Sequence, residues 1–291
     1  MPNSLQQEPG PWLEEFIKRF AAQSPANTLG LPEPEAAWDE PLVGFAAGGD
    51  PLWQECKSHI GDFFWTPEEA FNITYPQAPA APEELGVVAW VLPQTAATRR
   101  ENAAQEVYPS PRWAAARKSG EAFNTTLRKT VSATLNVQGV QAVAPMLSPH
   151  WGVRESAQYG RSSNWSERHA AYIAGLGTFG LCDGLITAKG KAIRAGSVVV
   201  RLPLEPTTRP YGGIHDYCLF YAQGNCGKCI PRCPVKALSK DGHDKKKCYR
   251  HVMVTCPEYI EQKFGFNTDA CGLCQVGVPC MDHIPDKNEG D

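Results

Sequence analysis

The sequence predicts an α/β body followed by a small cysteine-rich, ferredoxin-like module. Two observations carry this. Helix-like and strand-like patterns alternate up to about residue 202. Beyond the proline-rich stretch Pro203–Pro210, the sheet pattern stops and cysteines crowd in: the chain has 11, all but Cys56 and Cys182 falling between Cys218 and Cys280.

The 291 residues suggest about two domains, taken as 1–205 and 206–291. Pro11–Ala22 reads as a helix, since Trp12, Phe16, Ile17 and Phe20 share a face. Leu42–Ala46 is a short buried strand, and 52–60 is a helix after the Gly48-Gly49-Asp50-Pro51 break. Leu85–Leu92 is the clearest strand, an apolar run rich in valine. Ser110-Pro111 opens a long helix to about Asn136, with proline in the first turn. Val140–Ala144 follows as a strand and Trp165–Gly175 as a glycine-capped helix. Leu185–Thr187 and Ser197–Leu202 are expected to form a hairpin or meander through Lys189–Gly196.

The net charge of −3 and pI near 6.2 give no global attraction to nucleic acid or to acidic membranes. The one basic run, Lys245-Lys246-Lys247, reads as a solvated loop or a phosphate contact. The N-terminus lacks the charged and apolar regions of a secretion signal, and no apolar run approaches a membrane span. A cytoplasmic protein with reduced cysteines is expected.

The thiol spacing is the strongest signal. Cys226-x2-Cys229-x3-Cys233-Pro234 is preceded by Cys218 and followed by Cys248, Cys256 and Cys271-x2-Cys274-x5-Cys280. Thiolates are soft ligands for iron. The x3-Cys-Pro ending is the pattern in which the last cysteine turns to the other cluster of a two-cluster ferredoxin. Two C-x2-C pairs would also suit a zinc ribbon, but one zinc needs only four ligands. Two [4Fe-4S] clusters are therefore expected. The ferredoxin exchange rule gives one Cys218, Cys226, Cys229 and Cys280, and the other Cys233, Cys248, Cys271 and Cys274. Cys256 is left as the spare, although it and Cys248 are interchangeable by position. Cys56 and Cys182 read as buried, inert thiols.

The segment Glu167-Arg168-His169-Ala170-Ala171-Tyr172-Ile173-Ala174-Gly175-Leu176-Gly177-Thr178-Phe179-Gly180, the Gly184–Thr187 strand and the two cluster motifs together resemble the epoxyqueuosine reductases, cobalamin-dependent iron–sulfur enzymes related to reductive dehalogenases. The resemblance is good over about 160–291 and vague before that. It implies a nitroreductase-like corrinoid-binding body, with Gly175, Leu176, Gly177, Thr178 and Gly180 beside the corrin. The alternative for this turn is a plain helix C-cap.

The family's proton-donating Asp, just before the Glu-Arg pair, is missing: Gly160–Ser166 holds no acid, and no Asp occurs between Asn136 and Cys182. Candidate replacements are Tyr159, Glu167, His169 and Tyr172, with Arg161 stabilising developing negative charge. Each has a plainer reading: a surface ion pair of Glu167 with Arg168, or core positions for His169 and Tyr172. The implied activity is a cobalamin-dependent iron–sulfur reduction of a small or medium substrate other than tRNA, fed by a low-potential ferredoxin or flavodoxin. The alternative is a two-cluster electron-transfer protein serving a partner.

Overall fold

The computed structural model describes residues 4–290. Its first helix, α1 (Pro9–Gln23), leads to strand β1 (Leu42–Ala47) and helices α2 (Pro51–Ile60) and α3 (Pro67–Thr74). Strand β2 (Gly86–Pro93) precedes α4 (Ala96–Ala103) and the long α5 (Pro111–Val137). Next come β3 (Ala142–Val143), β4 (Val153–Ser156), β5 (Gly160–Ser163), α6 (Glu167–Ile173), β6 (Gly177–Phe179), β7 (Leu185–Thr187) and β8 (Ile193–Val200). The C-terminal part holds α7 (Leu219–Gln223), a small hairpin of β9 (Leu238–Ser239) and β10 (Gly242–His243), then α8 (Lys245–Arg250) and α9 (Cys256–Phe264). A π-helical turn, His251–Thr255, joins the last two.

The main sheet has the order β1-β2-β8-β3, antiparallel throughout. The mixed helix-and-sheet composition agrees with the sequence, which could not give strand direction. All eight residues of β2 are buried, which is why the strand reads as an unbroken apolar run. Its side chains alternate between two cores. Val88, Trp90 and Leu92 pack with Leu13 and Ile17 of α1 and with Phe123 and Leu127 of α5. Val87, Ala89 and Val91 face Trp53 of α2, Phe71 of α3 and Ala170 of α6.

Local chemistry sets the helix starts. Ser110 accepts from Trp113 N ahead of Pro111, and Thr66 forms a capping box with Glu69. Among the described residues, no helix is long and apolar enough to cross a membrane.

One expectation is corrected. Residues 185–187 do not pair with 197–200: β7 pairs with β6, while β8 lies between β2 and β3. Burial decides this, because the valines of β8 complete both cores. Pro203–Pro210 lacks regular structure but is strapped to the body. Phe45 N donates to Thr207 Oγ1 at 2.9 Å, Thr207 N donates to Phe45 O at 3.0 Å, and Arg209 pairs with Asp50 at 2.6 Å.

Candidate functional site

The thiols gather where the C-terminal segment meets the body. Cys182, Cys218 and Cys229 are buried with Leu181, Ile186 and Val278, and Cys233, Cys274 and Cys280 pack against them. Lys191, 3% exposed, places Nζ 3.5 Å from Cys182 Sγ. Burial alone would lower the Lys191 pKa, but the thiols of Cys182, Cys280, Cys229 and Cys274 hold it well above its usual value. The hydrogen bond with Cys274 lowers the Cys182 pKa. The backbone closes the same junction, since Lys191 N donates to Cys280 O at 2.9 Å.

A second group lies beside the first. The donor atoms of His251, Cys256 and Cys271 all fall within 4.8 Å of one another, with Cys256 Sγ 3.4 Å from His251 Nε2. The π-helical turn precedes Cys256, which is fully buried. Gly272 must be glycine: its φ is +66°, and a Cβ there would lie 2.0 Å from the Trp113 ring. Cys274 links the groups, feeling both Cys182 and Cys271. Cys248 lies apart on α8 with His243, whose Nδ1 is 2.9 Å from Asp183 Oδ2. Cys226 is half-buried, and Cys233 Sγ accepts from Ala237 N at 3.1 Å. Soft thiolates in two adjoining groups, one of them around a buried ammonium, fit iron–sulfur chemistry. The sequence had set aside Cys182 and Cys256 and had not noticed Lys191 or His251. Their only signal was residue type, because the fold brings them in from distant positions.

Next to the thiols is a cavity of about 290 Å³ whose lining includes Trp151, Trp165, Arg128, Glu167, Lys191 and Arg194. Ser166 caps α6 by accepting from His169 N, and this places Glu167 in the first turn, pointing inward. Arg128 of α5, 1% exposed, meets Glu167 at 2.8 Å, Glu121 at 3.0 Å and the Ala195 carbonyl at 3.1 Å. Ser197 Oγ donates to Glu167, and Trp165 Nε1 donates to Ser197 Oγ at 3.0 Å. Burial raises the Glu167 pKa against the opposing pull of Arg128. Glu167 is therefore a buried carboxyl paired with Arg128 rather than a surface partner of Arg168.

The other proton-donor candidates lie elsewhere. His169 sits between Phe64 and Phe179 with Nδ1 2.8 Å from Ser166 Oγ. Burial pushes its pKa down to about 3, so the ring is neutral near pH 7. Tyr172 is buried and stacked on Tyr211. Tyr159 is 40% exposed on the β4–β5 hairpin, under Lys245, and Arg161 lies over the Tyr249 ring. A broader hollow of about 560 Å³, lined by Asp62, Trp65 and Glu68 among others, contains no thiol.

No protein-family model matches the chain. A curated epoxyqueuosine reductase of Leadbetterella byssophila is 30% identical over 111 residues, covering 36% of this chain and 34% of the relative. One from Staphylococcus aureus is 31% identical over 119 residues, covering 39% and 29%. Over a little more than a third of its length, the chain is similar to the epoxyqueuosine reductases. The alignments span about a third of those curated relatives. Among solved structures, an epoxyqueuosine reductase from Bacillus subtilis aligns over 96% of this chain and 69% of its own, at 18% identity and a TM-score of 0.46. A reductive dehalogenase described for B12-dependent dehalogenation aligns over 86% and 31%, at 18% identity and 0.49.

The resemblance to epoxyqueuosine reductases sets a corrin beside Gly175–Gly180; in this structure the Cβ side of these glycines packs against the protein's own chain. A Cβ on Gly177 would lie 2.1 Å from the Ile186 carbonyl oxygen. One on Gly175, whose φ is +80°, would meet Thr207 and the Thr208 carbonyl at 3.2 Å. Gly180 faces Ile186, Leu176 N donates to Ala171 O at 2.9 Å, and Thr178 Oγ1 accepts from Tyr217 N at 2.9 Å.

Proposed function

We propose that the chain is an iron–sulfur oxidoreductase of the epoxyqueuosine reductase kind, reducing a small or medium substrate other than tRNA. The observation that carries this reading is the gathering of Cys182, Cys229, Cys274 and Cys280 around buried Lys191, at the edge of a cavity that also holds Glu167 and Arg128, with a second thiol group beside it. Cys218, Cys226, Cys229 and Cys280 would hold one [4Fe-4S] cluster. Cys233, Cys271, Cys274 and one of Cys248 or Cys256 would hold the other, in a ferredoxin-like arrangement. Such clusters supply single electrons at low potential. Lys191 offsets thiolate charge, and the Arg128–Glu167 pair, with Arg194 held by Glu121, gives the cavity beside the thiols a polar wall. All eleven cysteines are free thiols, which suits a reducing cytoplasm. The net charge of −3 supports a substrate other than nucleic acid.

Anaerobically purified protein is expected to contain about 8 iron and about 8 acid-labile sulfide per chain. Zinc without sulfide would overturn the reading. Cys256→Ser and Cys248→Ser, compared for iron content, would identify the eighth ligand.

Cobalamin enters this reading through the relatives. The lack of an acid in Gly160–Ser166 is the observation behind a second reading, an electron-transfer protein that passes electrons to a partner. Anaerobic hydroxocobalamin titration followed by gel filtration separates the two. Retention with a spectral change supports a corrinoid-dependent reductase, and complete loss supports the electron-transfer protein.

A further inference from the structure

The helical run that carries Cys248 and Cys256 presents an unusual outer face. Tyr249, Met253 and Val254 are 41%, 41% and 49% exposed, although large apolar side chains are usually covered. Basic side chains surround them. Lys246, Lys247 and Arg250 are exposed on the same run, and Arg161 reaches across from β5 to lie 4.6 Å from the Tyr249 ring centre. Lys245 lies 5.7 Å from the ring centre of Tyr159, which is also exposed. Lys247 is paired with Asp244 at 3.5 Å, but no ion pair forms at Lys246, Arg250 or Arg161 among the described residues. The whole chain carries a net charge of −3, so this positive charge is local. An apolar centre inside a cationic rim is the anatomy of a transient docking surface. The same helical run carries Cys256, fully buried, and Cys248, half-buried beside His243.

We propose that this face, centred on Tyr249, Met253 and Val254, docks a small acidic one-electron carrier protein that feeds the cluster held by the neighbouring thiols. The proposal rests on the iron–sulfur reading above. The exchange is a single outer-sphere step: the reduced carrier loses one electron, the oxidised cluster gains it, and no bond or proton moves. Charge complementarity selects the partner. An acidic surface is steered to the rim, whereas a basic carrier is repelled.

The test uses the anaerobic, cluster-loaded full chain mixed by stopped flow with a reduced acidic ferredoxin, following the bleaching of iron–sulfur absorption. The wild-type second-order rate should fall steeply with added salt. In the double charge reversal Lys246→Glu/Arg250→Glu, the rate should drop by about 10-fold or more and lose most of its salt dependence. The milder Lys246→Gln/Arg250→Gln should fall between. Photoreduced deazaflavin, a small reductant needing no protein docking, should reduce wild type and both variants equally. Unchanged ferredoxin rates in the variants, with normal deazaflavin reduction, would overturn the docking surface alone. No bleaching by deazaflavin in the wild type would overturn the cluster reading and the surface together.

Discussion

Glu167 and Arg128 meet inside the protein with almost no water to screen them. A buried ion pair gives little net stability when intact, but loss of one partner leaves an uncompensated charge. Glu167→Gln should therefore lower the unfolding free energy by about 3 kcal/mol, measured by denaturant titration. A loss under about 1 kcal/mol would mean that Glu121 alone suffices for Arg128. His169 makes a different prediction. Burial lowers its folded pKa from the ordinary 6.5 to about 3. The unfolded chain thus takes up a proton that the native ring refuses, and this favours unfolding in acid. The contribution of His169 is fully present above pH 6.5 and is lost as the pH falls toward 3. His169→Phe should flatten that acid limb of a stability–pH profile and leave the neutral region little changed.

The β6–β7 hairpin and the strap at 203–210 explain the glycines of the turn. Gly177 lets the two strands close, since its missing Cβ is the space that Ile186 O occupies. Gly177→Ala should lower the stability of the metal-loaded protein by about 3 kcal/mol, by overpacking against backbone. Thermal unfolding with and without hydroxocobalamin tests this: the loss should be the same in both. A loss seen only with cobalamin would return the turn to the corrin. The strap acts from the other side. Thr207 bonds to Phe45 on β1 through both its side chain and its backbone, so this segment of three prolines is an ordered clasp rather than a free linker.

Across the whole molecule, the body and the thiol segment build two of the four cores together. Trp113, Ala114 and Ala192 pack with Cys256, Ile260 and Val276. Leu181, Cys182 and Ile186 pack with Cys218, Cys229 and Leu238. Arg117 and Asp269 bridge the same junction at 2.8 Å. A chain ending at residue 205 would expose one side of both cores and strand Lys191 without its thiols. It should therefore aggregate or show weak hydrogen-exchange protection and non-cooperative unfolding. A soluble 1–205 fragment that melts as sharply as the full chain would show that the boundary separates two independent domains.

Pattern alone located most of the body. The valine run at 85–92 marked a strand because a centrally buried strand is apolar on both faces. Ser110-Pro111 marked the start of α5 because capping is local chemistry. The thiol spacing likewise marked the segment where the cysteines gather, since cluster ligands close in sequence keep fixed intervals. What stayed hidden depends on residues far apart in the chain. The partner of β7 was set by burial, Glu167 found Arg128 39 residues away, and Cys182 and Lys191 joined the thiols only when the C-terminal segment docked. The role of the Gly175–Gly177 turn also had to await the fold. A glycine in sequence announces that a Cβ is excluded, but only packing reveals what excludes it, here the backbone of Ile186 and Thr208.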